Sequence, residues 1–290
     1  MPATPSRHEA EALAGRLPPL LVAAERVAAT VAQGVHGRRR EGVGSSFWQF
    51  RAYTPGDAAT SIDWRQTAKS DRAFIRQNEW DAAQSVWLWA DRSESMDWHS
   101  RRDLPTKSER ALLLVLAAAA LLLRGGEHVA LLGGARPAAG GAVLDRLVHD
   151  LERPAPSAAS LPPPAPLPRH GALLVVGDLL SPLDEVARAV NGFASQGVRG
   201  HLLQILDPAE EALPFDGRVR FEGLEHEGAT LIDRVDAIRA AYGTRLAAHR
   251  DGLAAIARNA GWSFAVHRTD QPPTSALLVL HGALSGGRRC

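Results

Sequence analysis

Short apolar runs alternate with stretches of helical periodicity through the larger, C-terminal part of the chain. Runs such as Ser85–Ala90 and Ala172–Gly177 are apolar almost throughout, which is typical of strands buried on both faces. One helix opens with a capping box made by Thr106 and Glu109. This alternation predicts an α/β fold with a doubly wound, mostly parallel sheet. The predicted strands are Ser85–Ala90, His128–Leu132, Ala172–Gly177, Val198–Leu206 and Trp262–His267, and the predicted helices are Thr106–Arg124, Ala142–Glu152, Ser181–Ala194, Asp236–Asn259 and Thr274–Leu284.

The segments before this pattern differ from it in composition. Apolar residues recur at helical spacing between Pro19 and Gln33. A stretch rich in turn residues and aromatics follows, with strand-like pieces near Phe47–Arg51 and Ala73–Asn78. The predicted organisation is therefore an N-terminal helical segment (1–34), an irregular β-containing region (35–84) and an α/β domain (85–290) with a proline-rich loop (153–170) and an insertion (208–234).

Charge and cysteine content narrow the class of protein. The 33 basic and 32 acidic residues leave a net charge of +1, which argues against a nucleic-acid or membrane-surface partner. The single cysteine, Cys290, excludes an internal disulfide and fits a reducing compartment. The longest apolar run, Ala111–Leu123, is shorter than the roughly 20 residues that cross a bilayer, and the N-terminus has no signal-peptide pattern. These features predict a cytoplasmic protein without a membrane span.

Three predicted strands end in an aspartate: Asp91, Asp178 and Asp207. Ligands of open parallel sheets bind at the carboxyl ends of the strands, so a functional cluster is expected there. Asp91 begins the pattern Asp-x-Ser-x-Ser with Ser93 and Ser95. Two interpretations stay open: the side chains cap turns of an ordinary loop, or they form half of a cation site.

The Asp-x-Ser-x-Ser pattern after the first strand resembles the metal-ion-dependent adhesion site of von Willebrand factor A-type domains. The resemblance implies a metal site made by Asp91, Ser93, Ser95 and Asp178, with Mg²⁺ as the expected ion and Mn²⁺ as the alternative. A coordination position would be left for an acidic group from a partner. The threonine that such sites take from a third loop is missing, since residues 133–143 contain no hydroxyl.

The segment "FRAYTPGDAATSIDWRQTAKSD" resembles the signature of a bacterial family of unknown function, domain-of-unknown-function family fifty-eight, a von Willebrand A-like group. The resemblance also includes Gln204–Gly223 and extends from about Gly34 to the C-terminus. It implies a protein partner, a MoxR-type AAA+ ATPase. The matching residues of the first motif are Arg51, Tyr53, Pro55, Gly56, Asp57, Ile62, Asp63, Trp64, Thr67, Ala68 and Lys69.

The same motif has two physical interpretations. In the first it is structural: Pro55-Gly56 turns the chain, Asp57 accepts backbone N–H groups, and Asp63 pairs with Arg51 or Lys69 while Trp64 packs as an anchor. In the second it is a docking surface for a partner. The basic run Arg38–Arg40 is interpreted as a solvated loop.

Taken together, these features predict a non-enzymatic adaptor that presents the strand-end loops to a protein partner, in a chaperone-like or cofactor-insertion role. The alternative is a metal-dependent hydrolase, a phosphatase or nuclease, that uses Asp91, Asp178 and Asp207. Dehalogenase-type phosphatases need a second acid two residues after the first, where this chain has Ser93. No nucleotide-binding glycine loop or nucleophile elbow occurs in the sequence. A third alternative is a self-assembling structural module.

Overall fold

The computed structural model describes residues 23–32, 47–53, 62, 64–69, 72–78, 83–152, 159–223 and 228–285. These residues belong to two compact units. The larger unit holds residues 23–32 and the described residues from Gln84 onward, and the smaller unit holds those between 35 and 83.

The smaller unit contains an antiparallel strand pair. Strands β1 (Phe47–Ala52) and β2 (Phe74–Asn78) pair with each other, and a one-turn helix α2 (Trp64–Thr67) lies between them in the chain. Both strands overlap the predicted strand-like pieces, so that prediction is confirmed.

The larger unit is built on a sheet of five strands in the order β4-β3-β5-β6-β9. All four pairings in it are parallel. The chain first adds β4 on one side of β3 and then β5, β6 and β9 on the other, so the direction of winding reverses between β3 and β5. The strands are β3 (Ser85–Ala90), β4 (His128–Leu131), β5 (Ala172–Gly177), β6 (Arg199–Leu206) and β9 (Ser263–Arg268).

Helices cover both faces of this sheet, as the doubly wound prediction requires. Along β3 and β5, alternate residues enter two separate apolar cores. One core contains residues of α1, α3, α4 and α8, and the other contains residues of α5 and α7. The helices are α1 (23–32), α3 (Lys107–Arg124), α4 (Ala142–Glu152), α5 (Leu183–Ala194), α7 (Val235–Asn259) and α8 (Pro273–Ser285).

Two details differ from the sequence prediction. Ala24, Ala28 and Val31 of α1 are buried in the first core, so the described part of segment 1–34 belongs to the main unit and is not a separate segment. The N-cap of α5 is Pro182 rather than Ser181. The hydroxyl of Ser181 instead hydrogen-bonds to that of Ser160, at 3.0 Å, in the described part of the proline-rich loop.

The insertion 208–234 contains elements that the sequence did not reveal. A short helix α6 (Pro208–Ala212) is followed by a hairpin of β7 (Val219–Glu222) and β8 (Ala229–Ile232). The hairpin strands have four residues each and are largely exposed, so they lack the apolar run that marks a buried strand. Among the described helices, none is long and apolar enough to cross a membrane.

Two buried histidines are expected to make the larger unit sensitive to acid. Burial, reinforced by Arg199 for His201 and by Arg110 for His267, lowers the pKa of each to about 4. Arg110 Nη1 lies 3.2 Å from His267 Nε2, and Asp270, the other charged neighbour, only partly offsets it. In the unfolded chain a histidine takes up its proton near pH 6.5, so each contribution is complete above that pH and is lost as pH falls towards 4.

We therefore expect the free energy of unfolding to fall by about 2 kcal/mol per histidine between pH 7 and pH 5. Urea denaturation across this range measures the slope. His267→Gln should remove its share of the pH dependence, since glutamine does not titrate. Equal slopes for the variant and the wild type would contradict the prediction.

Candidate functional site at the carboxyl ends of the strands

The carboxyl ends of β3 and β5 lie side by side where the winding reverses. Asp91 follows β3 and Asp178 follows β5, and their exposed fractions are 0% and 3%. Gly177 permits this close approach, because a Cβ at that position would lie 2.7 Å from the Cβ of Asp91. Ligands of open parallel sheets bind at such a reversal point, outside the carboxyl ends of the strands.

The structure brings the four predicted metal ligands together in one chain of polar contacts. Asp91 Oδ1 accepts from the Ser93 backbone N–H at 2.9 Å and from the Ser93 hydroxyl at 2.7 Å. The hydroxyls of Ser93 and Ser95 are 3.1 Å apart, and the Ser95 hydroxyl donates to Asp178 Oδ2 at 3.0 Å. The Asp-x-Ser-x-Ser loop is thus tied to the end of β5.

Lys107 also contacts this group of side chains, and the sequence did not predict that it would. Its ammonium donates to Asp178 Oδ2 at 3.1 Å and to Glu210 Oε1 at 2.6 Å, and its side chain is 1% exposed. Burial alone would lower the pKa of Lys107, but the carboxylates of Asp178 and Glu210 outweigh burial and raise it. We call Asp91, Ser93, Ser95, Lys107, Asp178 and Glu210 the strand-end cluster.

Asp207, the third strand-end aspartate, is a helix cap and lies outside the chain of contacts from Asp91 to Lys107. Its Oδ1 accepts from the Ala209 N–H at 2.8 Å, and its own N–H donates to Glu210 Oε2 at 2.8 Å, which completes a capping box on α6. Its Oδ2 accepts from the Ser100 N–H at 2.9 Å, which holds the loop after β3. Asp207 therefore fixes the start of α6 and the loop after β3 through hydrogen bonds.

The backbone after Asp178 is strained and held in place. Leu179 has a φ of 51°, a left-handed conformation that a bulky residue adopts only when its surroundings impose it. The Asp178 carbonyl accepts from Gln204 Nε2 and the Leu179 carbonyl accepts from His249 Nε2, both at 2.8 Å. The turn then exposes Leu180, whose exposed fraction is 44%.

One contact in this arrangement competes with a divalent cation for the donor set. The hydroxyls of Ser93 and Ser95 have the spacing of adjacent ligands around Mg²⁺, about 3 Å. However, the Lys107 ammonium already contacts the Asp178 oxygen that Ser95 contacts. Across the described part of the chain, no group of three or more His, Cys, Asp or Glu side chains is placed to hold a metal ion. Mg²⁺ or Mn²⁺ at this position stays a prediction.

A small apolar cavity of the larger unit lies beside the turn after Asp178, with Leu179 among its lining residues. Its volume is about 10 Å³, enough for one water molecule, and apolar side chains such as Val186, Phe193 and Trp262 line it. It is far too small for an organic substrate.

The family motif of the smaller unit is described only in part. Gly56, Asp57 and Asp63 lie outside the described residues, as does the side chain of Arg51, so the predicted pairing of Asp63 is not visible. Tyr53 is half-buried, and its N–H donates to the Ala73 carbonyl at 2.8 Å. Trp64 is 69% exposed at the start of α2, so it does not pack as the expected anchor.

Comparison with known proteins identifies relatives whose function is also unknown. The family described as "Protein of unknown function DUF58" matches residues 49–252. Two curated relatives are the uncharacterized proteins Rv1480 of Mycobacterium tuberculosis and Mb1516 of Mycobacterium bovis. Each is 26% identical over 266 residues, which is 83% of this chain and 80% of the relative.

One solved structure also matches, at a distance. The conserved hypothetical protein BatB from Bacteroides thetaiotaomicron aligns with a TM-score of 0.41 and 16% identity, covering 70% of this chain and 98% of that one. A likeness at this level supports no conclusion about shared function.

Proposed function

This chain belongs to the family described as "Protein of unknown function DUF58", and from that premise we propose that it is a non-enzymatic protein-interaction adaptor. Its strand-end loops form the docking surface, and its partner is a MoxR-type AAA+ ATPase. The adaptor acts in the cytoplasm in a chaperone-like or cofactor-insertion role. The partner class comes from the family resemblance of the Arg51–Lys69 segment.

The observation that carries the adaptor proposal is that the strand-end aspartates Asp178 and Asp207 accept hydrogen bonds from groups of the protein itself. Asp178 accepts hydrogen bonds from Ser95 and Lys107, and Asp207 accepts them from the backbone of the loop after β3 and of helix α6. These carboxylates hold loops in one conformation. A surface that is rigid before binding loses little conformational entropy on association, which favours protein recognition.

An exposed apolar side chain gives this surface the character of a docking site. Leu180, 44% exposed, follows the strained turn after Asp178 in the larger unit. Trp64, 69% exposed, is a separate apolar candidate in the family motif of the smaller unit. Aromatic and apolar anchors of this kind dominate the binding energy of many interfaces.

A pull-down and an ATPase assay with a MoxR-type protein test the proposal. Leu180→Asp should weaken capture at least about tenfold, since it places a charge on the docking surface beside the turn after Asp178. Leu278→Asp is the matched control, because Leu278 is 49% exposed in the middle of α8, away from the strand ends. Trp64→Ser tests the exposed tryptophan of the smaller unit separately, in the same assay.

The outcomes separate the alternatives. Loss of capture in Leu180→Asp with normal capture in Leu278→Asp would support the adaptor. No interaction of the wild type with any MoxR-type protein would overturn the partner assignment. Phosphatase or nuclease turnover with Mg²⁺ or Mn²⁺ that Asp91→Ala abolishes would favour the hydrolase instead. Self-association indifferent to chelator and to Leu180→Asp would favour a structural module.

A further inference from the structure

Lys107 occupies a position that its own helix does not favour. It is the first residue of α3, an 18-residue helix, where the N-terminal amide groups carry a partial positive charge that disfavours a cation. Its side chain is nevertheless buried, with an exposed fraction of 1%. A buried ammonium persists only where carboxylates compensate it, and Asp178 and Glu210 do so here.

The Lys107 ammonium is linked to the Asp-x-Ser-x-Ser loop through Asp178. Asp178 Oδ2 accepts from Lys107 Nζ at 3.1 Å and from the Ser95 hydroxyl at 3.0 Å. A cation held through Ser95 and Asp178 would therefore share one carboxylate oxygen with the ammonium. Two positive charges on one buried carboxylate repel each other strongly, because the protein interior screens charge poorly.

The second carboxylate that contacts Lys107 is itself fixed in place. Glu210 Oε2 accepts from the Asp207 N–H, and the Glu210 carbonyl accepts from the Tyr242 hydroxyl. Glu210 is thus held in the capped helix α6, and its Oε1 accepts from Lys107 Nζ at 2.6 Å. The lysine is held from both sides and cannot leave the cluster without breaking both ion pairs.

We propose that the Lys107 ammonium is the built-in cation of the strand-end cluster and keeps divalent cations out of it. The cluster then holds its form without Mg²⁺ or Mn²⁺. Lys107 is a positioning residue that orders Asp178 and, through it, the serine loop. This inference concerns the cluster itself and holds whichever partner the protein binds.

Calorimetric titration of MgCl₂ and MnCl₂ into the metal-stripped full chain tests the inference. The test variant is Lys107→Met/Glu210→Gln, which removes one positive and one negative charge together and leaves Asp178 and both serines. Lys107→Arg is the matched control, since it keeps the cation. Circular dichroism checks that each variant is folded.

We expect no saturable binding by the wild type or Lys107→Arg, and binding with a dissociation constant below about 1 mM by the double variant. Saturable binding by the wild type that Asp91→Ala abolishes would overturn the inference. Absence of binding by the folded double variant would also overturn it, because Lys107 would then not be what keeps the ion out.

A melting comparison of the wild type needs no variant and can overturn the inference even if the double variant does not fold. With chelator, Mg²⁺ or Mn²⁺ at millimolar concentration, the melting temperature should be the same. A rise of more than about 2 °C with either ion would show that the native state binds it and would overturn the inference.

Discussion

Replacing Lys107 with methionine is expected to lower the free energy of unfolding by about 3 to 5 kcal/mol at pH 7. Methionine keeps much of the apolar stem but removes the ammonium that contacts Asp178 and Glu210. Those carboxylates then stay buried without their cation, and the desolvation of each is no longer compensated. Urea denaturation followed by far-ultraviolet circular dichroism measures the change.

The other lysine serves as the control for this experiment, since the chain has 31 arginines but only two lysines. The second, Lys69, is exposed in the smaller unit, and Lys69→Met should change stability by less than about 0.5 kcal/mol. Adding Glu210→Gln to Lys107→Met should restore part of the loss, since one unpaired carboxylate is removed. Similar small effects of both lysine variants would refute the prediction.

The pH dependence of the same variant has a defined direction. The neighbouring carboxylates outweigh burial and hold the pKa of Lys107 above its ordinary value of 10.5. The stabilisation is therefore fully present below about pH 10.5, where the unfolded lysine is also charged. It is lost only as pH rises through the higher pKa of the folded state. The difference between wild type and Lys107→Met should shrink in that alkaline range, and it should also shrink at acid pH, because burial raises the pKa of Glu210 and its protonation removes the charge that Lys107 compensates.

Gly200→Ala is expected to destabilise the larger unit by about 3 kcal/mol. Gly200 is buried in β6, and the indole of Trp262 lies across it, so that a Cβ would be 2.2 to 2.3 Å from three ring atoms. The indole cannot simply rotate away, because Trp262 is 5% exposed and its Nε1 donates to the Val198 carbonyl at 3.0 Å. The added methyl group must therefore displace strand β6 or the indole.

Gly192→Ala is the matched control for this substitution. Gly192 lies on the exposed side of α5, where a Cβ would meet no atom within 4 Å. Alanine there should stabilise the protein by about 0.5 to 1 kcal/mol, because glycine weakens a helix interior. Urea denaturation compares the two variants. A loss below about 0.5 kcal/mol for Gly200→Ala would mean that the indole can shift freely.

The strands and helices of the larger unit could be predicted from the sequence because the sheet is buried on both faces. Its central strands β3 and β5 are nearly continuous apolar runs, which stand out between amphipathic helices. Strands β3 and β5 and helix α4 have the predicted bounds. The hairpin of β7 and β8 was missed for the opposite reason, since its exposed residues need no apolar pattern.

The candidate site was predictable only where its residues are neighbours in the chain. Asp91, Ser93 and Ser95 form a recognisable pattern, and Asp178 is marked by its place at a strand end. Lys107 and Glu210 carry no such mark, because they lie 103 residues apart and each has an ordinary role in the sequence, as a helix residue and as part of a helix cap. Whether the side chains of Lys107 and Glu210 can reach each other across the strand ends depends on the tertiary fold.

The sequence by itself determined the α/β alternation, the family and the strand ends at which polar side chains would gather. The alternation, the family motif and the strand ends follow from the local spacing of residue types and from the positions of the apolar runs, which are properties of the sequence alone. Only the tertiary structure decided which charge meets Asp178. A carboxylate beside two serines can bind a metal ion or a lysine. Here Lys107, at the start of α3, reaches Asp178 at the end of β5 and is buried there with Glu210, so the lysine is the cation that Asp178 contacts.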